Sequence, residues 1–145
     1  MDVYSIGFTQ KSAETFFELL KRTGIRRLID VRLHNSSQLA AFSKQDDLVY
    51  FLRVICSATY RHEPLLAPTQ AMLDHYRKEK GGWAEYERQF LALLAERHAE
   101  THFSPDLFEP TSVLLCSEAT AEHCHRRLVL EYLQARWGNL HITHL

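Results

Sequence analysis

Alternating strand and helix signals predict an α/β fold, a single-domain sandwich with a mainly parallel sheet flanked by helices. Three observations carry that reading. The chain opens strand–helix–strand, with a helix of about twelve residues, a βαβ unit of the kind that is right-handed almost without exception. The runs "RRLIDVR" (26–32) and "SVLLC" (112–116) are apolar in the middle and polar at their carboxyl ends, as in strands buried on both faces. Finally, 145 residues without an internal repeat or low-complexity tract suit one domain, residues 1–145, burying roughly two-thirds of its unfolded surface.

Each element has its own signal. "VYSIGF" alternates weakly and ends near Gly7, which predicts the first strand. Ser12 stands where an N-cap belongs, Phe16, Phe17, Leu19 and Leu20 follow at helical spacing, and Gly24 closes the helix. After the strand "RRLIDVR", apolar residues at 48, 51, 52 and 55 predict a helix, and "ATYRHEP" a strand stopped by Pro64. "AMLDHYRKEK" is broken by Gly81 and Gly82. Trp83, Tyr86, Phe90, Leu93 and Leu94 then repeat at three and four, an amphipathic helix reaching about His98. "THFSPDLFEPTS" reads as a connecting loop. "SVLLC" follows as a strand, then a helix from about Ala121 to Trp137 capped by Thr120 and closed by Gly138, and a terminal strand "LHITHL".

Composition narrows the function classes. Seventeen basic and eighteen acidic side chains leave a net charge of −1, so bulk charge gives no argument for nucleic acid or an anionic membrane. The uncharged stretches are too short to span a bilayer, and the opening "MDVYSIGFT" lacks the pattern of a secretory signal. Cys56, Cys116 and Cys124 are too few for a disulfide framework. Free thiols in a reducing cytoplasm are the simplest expectation.

In parallel sheets ligands bind beyond the carboxyl ends of the strands. The polar residues there are Asp30 and Arg32 after one strand, and Cys116, Ser117 and Glu118 after another. A helix starting near Ala121 puts Cys124, His125 and Arg126 at the end of its first turn, where unpaired N–H groups favour anions and stabilise a thiolate. On that helix Cys124 points at the sheet, and Arg126 and Arg127 point toward the loop and solvent. Glu118 is expected to need a partner, which Asp30 and Arg32 would supply through an ion-pair network at the sheet edge.

Several motifs are absent. A phosphatase or rhodanese-type loop needs four or five residues between its cysteine and an arginine, but from Cys116 the corresponding positions hold Ala121 and Glu122. No phosphate-cradling glycine loop and no G-x-S-x-G occurs. Zinc sites use close-set ligand pairs. Cys116, His123, Cys124 and His125 lack that spacing, and 123 to 125 cannot all face one ion from a helix, so neither a metal nor another cofactor is expected.

Taken together, "Y-x-I-G", "I-D-V-R", "L-L-C-x-E", "C-H-R" and a late histidine resemble the family called domain of unknown function 488, over nearly the whole chain. The resemblance groups Tyr4, Gly7, Asp30, Arg32, Ser37, Phe42, Cys116, Glu118, Cys124, His125, Arg126 and His144 into one site and implies no reaction. The chain departs from the family pattern at Phe8, where a histidine is usual, at His34 and Asn35 in place of a proline, and at "LLAPT" (65–69) in place of a glycine turn.

Two functional readings follow. In the first, an enzyme of hydrolase or transferase type uses Cys116 or Cys124 as a thiolate nucleophile, with Glu118, Asp30 and His125 as bases or orienting groups. Arg32 and Arg126, with Tyr4, Thr9, Ser37 and His144, would then hold an anionic small molecule, a nucleotide or a nucleic-acid end. In the second, the same arginines and helix terminus bind an anion or a nucleic-acid phosphate and no chemistry follows. A duller possibility is an ion-pair cluster with function elsewhere. No membrane partner is expected, and the oligomeric state is left open.

Overall fold

A computed structural model describes residues 1–35, 41–79, 81–118 and 120–145. Its centre is a five-stranded, all-parallel sheet of order β3-β2-β4-β1-β5, built from β1 (Asp2–Gly7), β2 (Arg27–Asp30), β3 (Thr59–His62), β4 (Ser112–Cys116) and β5 (His141–His144). The helices are α1 (Ala13–Thr23), α2 (Gln45–Phe51), α3 (Gln70–Arg77), α4 (Trp83–Glu96), α5 (Ala99–His102) and α6 (His125–Trp137). A π-helical turn, Leu52–Cys56, extends α2, and short 3-10 turns fill several connections.

Strand alternation sorts the core into two layers. Ile6, Leu28, Val113 and Leu115 face α1 and α2, meeting Phe16, Phe17, Leu20, Leu48 and Leu52. Val3, Ile29, Leu114 and Cys116 face the other way, toward Phe90 and Leu94 of α4 and Leu128, Val129 and Leu133 of α6. Burial on both faces is why the strands read as continuous apolar runs rather than alternating ones. The local signals for α1 hold. Ser12 Oγ accepts the Thr15 amide at 3.1 Å, and Gly24 closes the helix at φ 75°.

Helix α6 begins four residues later than its sequence pattern predicts. Residues 120–124 form bends and turns, Cys124 is extended at φ −138°, ψ 138°, and the first helical residue is His125. The apolar spacing 121, 124, 128, 132 imitates a helical stripe, but Ala121 and Cys124 are buried by the turn itself. This delay changes which groups converge on the sheet.

α1, which follows β1, covers one face of the sheet, and α6, which follows β4, covers the other. β1 and β4 are neighbours. The chain thus diverges to opposite faces beyond their carboxyl ends, the topological switch point at which α/β sheets hold their ligands.

A sulfur and imidazole cluster in the cleft above the sheet

A cleft of about 430 Å³ opens at that switch point, lined by residues that follow three strands: Phe8 and Thr9, Arg32 to His34, and Cys116 to Glu118. Arg77 of α3 and the Cys124–His125 turn complete its wall. The segments are tied together locally. The Thr9 amide donates to the Ser117 carbonyl at 3.1 Å, and Thr9 Oγ1 donates to the same oxygen.

Cys116 ends β4 and Cys124 caps α6. The structure brings their Sγ atoms into direct contact and links them as a disulfide. Their Cα atoms stand 7.6 Å apart, wider than the roughly 4.4–6.8 Å that an ordinary disulfide spans. The backbone therefore aims two sulfurs at one point without being fitted to a cross-link. The expectation of free thiols holds for Cys56, which is buried under α1, and is corrected for the other two.

His125 joins this pair. Its Nε2 lies 2.7 Å from the Val31 carbonyl oxygen, which can only accept, so Nε2 carries the proton. Burial is the main force pushing its pKa down to about 4, against the pull of that carbonyl and with help from Arg126. The ring is thus neutral near pH 7 and keeps a lone pair on Nδ1. Ligand atoms of Cys116, Cys124 and His125 all lie within 4.8 Å of one another.

Arg126 is fully buried, contrary to its expected position toward loop and solvent. With the helix starting at 125, its side chain turns inward over β1. Nη1 donates to Cys116 Sγ at 3.1 Å and to the Glu118 carbonyl at 2.8 Å, and Nε donates to Ser5 Oγ at 3.1 Å. Burial lowers its pKa to about 10, which leaves it charged near neutrality. Room for the guanidinium comes from two small residues on the same face of β1, Ser5 and Gly7. A Cβ at Gly7 would stand 1.5 Å from the Glu118 carbonyl oxygen and 2.9 Å from Arg126 Nη1. Gly7 is required for close approach.

The Asp30–Arg32 pair is on the opposite face of the sheet. Arg32 Nε and Nη2 donate to the two Asp30 carboxylate oxygens at 2.9 and 2.8 Å, and the Arg32 amide donates to Asp30 Oδ1 at 3.1 Å. Tyr60 Oη donates to Asp30 Oδ2 at 2.7 Å. Burial, then that hydrogen bond, pushes the Tyr60 pKa well above its ordinary value. Asp30 is buried and saturated with donors, and it does not line the cleft. The network predicted to include Glu118 does not form. Glu118 is half exposed on the cleft rim and pairs with Arg77 at 3.3 Å, since the loop after β4 carries it outward.

Arg32 does reach the cleft. It is 3% exposed, and its Nη1 has no hydrogen-bond partner among the described residues. Of the other predicted binding residues, Thr9 lines the cleft, whereas Tyr4 packs with the α1 layer. His144 sits on β5 and touches the site only indirectly, its Nδ1 2.5 Å from Ser5 Oγ. Ser37 lies outside the described residues. Phe42 packs against Phe16 and Phe17, away from the cleft. Ser5, Tyr60 and Arg77 were missed from sequence. Ser5 carried a weak signal, a small polar residue in an otherwise buried strand.

An all-parallel sheet with a sulfur–imidazole cluster and buried guanidinium groups beside a cleft at its switch point defines the protein as α/β. A family model described as "Domain of unknown function DUF488" matches residues 12–133, and the chain belongs to that family. The match contains the cluster and both buried arginines, while Tyr4, Gly7 and His144 fall outside it. The chain matches no curated protein and no solved structure. Among the described residues, no helix is long and apolar enough to cross a membrane.

Proposed function

We propose that the protein is an enzyme acting on a small anionic substrate in the cleft, with Cys116, Cys124 and His125 as its reactive centre. The observation that carries this reading is the guanidinium hydrogen bond to Cys116 Sγ inside an open cleft. Once the disulfide is reduced, a cation at that distance favours the Cys116 thiolate, the form that both attacks electrophiles and ligates metals. A neutral imidazole alongside it can accept a proton through Nδ1.

Arg32 and Arg77 supply the anion preference. Arg32 presents a nitrogen with no hydrogen-bond partner among the described residues, from a rigid bidentate pair, and Arg77 needs only to leave Glu118 to reach a phosphate or carboxylate. Asp30 is withdrawn as a base, because its oxygens are already engaged. The near-neutral chain favours a small molecule or nucleotide over a long nucleic acid.

Paired alkylating reagents test this. In reduced, chelator-treated protein, the cleft thiols should react with anionic iodoacetate and neutral iodoacetamide at a rate ratio about tenfold above that of the unfolded chain. Arg77→Gln should lower the ratio, and Arg22→Gln, at the exposed far end of α1, should leave it unchanged. Cleft thiols that resist both reagents until unfolding, or a ratio matching the unfolded chain, would overturn the reading. Reactive thiols whose ratio ignores Arg77 would overturn its role in holding the anion.

A further inference from the structure

We infer that Cys116, Cys124 and His125 form a three-ligand site for a soft divalent metal ion, zinc foremost, whose remaining coordination position faces the cleft. The inference deepens the proposed function and rests on the same cleft, but it concerns what the sulfurs and imidazole hold.

Four observations converge. The donor set is two sulfurs and one imidazole, the ligand chemistry that selects zinc among common divalent ions and excludes magnesium and calcium. Its ligand atoms lie within 4.8 Å of one another. Two sulfurs bound to a tetrahedral zinc at about 2.3 Å sit roughly 3.8 Å apart. Opening the sulfur contact to that spacing is compatible with Cα atoms 7.6 Å apart, where a cross-link is poorly accommodated.

His125 shows the arrangement a metal-binding histidine needs. Its Nε2–H is donated to the Val31 carbonyl, which fixes the tautomer and the ring plane and reserves Nδ1 for an ion. A backbone carbonyl is a permanent partner, so the orientation does not depend on another side chain. Phe90 packs edge-on against the same ring at 5.5 Å between centroids and limits its rotation. Arg126 Nη1 donates to Cys116 Sγ, as groups outside a metal's ligand shell do to thiolates.

The late start of α6 makes the site possible. With Cys124 inside the helix, it and His125 would diverge by about 100° around the axis. As an extended N-cap, Cys124 turns independently of the helical residue that follows it. Cys124 and His125 can therefore face one ion although they are adjacent in sequence, because the helix begins only at His125.

Charge and access fit a working ion. Two thiolates and a neutral imidazole balance a divalent cation, and Arg126 adds one positive charge beside it. All three ligands line the cleft, as does Arg32, so an anionic oxygen reaching an ion there would also meet a guanidinium. Three protein ligands with an accessible fourth position is the form of catalytic rather than structural zinc.

The test is cobalt substitution of the full, reduced chain under anaerobic conditions. One equivalent of Co²⁺ should give thiolate-to-cobalt charge-transfer absorption with tetrahedral visible bands, and one equivalent of Zn²⁺ should erase them. Cys116→Ser, Cys124→Ser and His125→Gln should each weaken binding by more than about 100-fold, beyond the usual effect of outer-shell changes. Cys56→Ser should leave it intact. If a ligand variant fails to fold, the wild-type charge-transfer intensity still counts the bound thiolates. A reduced chain that takes up no Co²⁺, a spectrum without sulfur ligation, or dependence on Cys56 would overturn the site. Metal failure with a retained iodoacetate preference removes only this inference; the reverse removes only the anion reading.

Discussion

The two faces of the sheet each bury an arginine beside the same cleft, and the two arginines do opposite things. On the α1–α2 face, Arg32 is locked to Asp30, Tyr60 completes the carboxylate's shell, and Arg32 Nη2 also donates to the Ser43 carbonyl at 2.7 Å. On the α4–α6 face, Arg126 bonds to no carboxylate among the described residues. Its partners are a serine hydroxyl, a backbone carbonyl and a sulfur. The first arrangement is closed electrostatically, with a structural acid and base cancelling inside the protein. The second has no acid hydrogen-bonded to the guanidinium among the described residues, Glu118 acting on it only at a distance, and it lies beside two sulfurs that reduction would free as thiolates. A charge answered by its counter-ion holds a fold together even where, as at Arg32 Nη1, one nitrogen stays open to the cleft; a charge with no bonded counter-ion is poised for something else.

The largest effect should come from breaking the closed pair. Asp30→Ala leaves the Arg32 guanidinium buried without its counter-ion, and the expected loss is about 3–5 kcal/mol in urea unfolding. Adding Arg32→Met should recover much of it, since removing both charges avoids the uncompensated one. A loss below about 1 kcal/mol for Asp30→Ala would mean that the pair is not the closed unit described here.

Gly7→Ala strikes the other face. The new Cβ would overlap a backbone carbonyl, so the Ser117–Glu118 loop or β1 has to move. Overpacking of this kind costs about 1–3 kcal/mol. The displacement also falls on the Glu118 carbonyl that positions Arg126, so the variant should lose cobalt affinity out of proportion to its stability loss. Equal metal affinity in a stably folded Gly7→Ala protein would detach the Arg126 side of the site from the sulfurs.

The asymmetry between the faces also explains what was legible in the sequence. The βαβ opening, the apolar strands and the Ser12 and Gly24 caps are short-range signals, and they placed α1 and the parallel sheet. The residues of the cleft were legible as strand ends. Their pairing was not, because it depends on where the chain turns between 117 and 124. One shift of the α6 start moved Arg126 from solvent to the interior and freed Cys124 from the helix. Glu118 was assigned to Arg32 on the reasonable ground that a buried acid needs a base, but the loop exposes it and gives it Arg77. Tyr60 and Ser5 were invisible for another reason: each is an ordinary strand residue until a distant partner makes it specific.

The smallest effect concerns a histidine that contrasts with His125. His75 is on the surface of α3, with Nδ1 2.8 Å from Glu79 and Nε2 3.2 Å from Glu85. Donating to both requires the doubly protonated ring. The Glu79 bond, then the Glu85 bond, raises its pKa above the ordinary value, the reverse of His125. Because the folded pKa is raised, the stabilisation is fully present below the unfolded value of about 6.5 and is lost as pH rises through the folded value. His75→Gln should therefore lower the melting temperature slightly at pH 6, with the gap from wild type closing toward pH 8.5. Salt should shrink the gap at pH 6, since the ion pairs are exposed. A gap that is constant with pH and indifferent to salt would show that His75 acts by packing against Gly81, and that charge at this surface contributes nothing measurable.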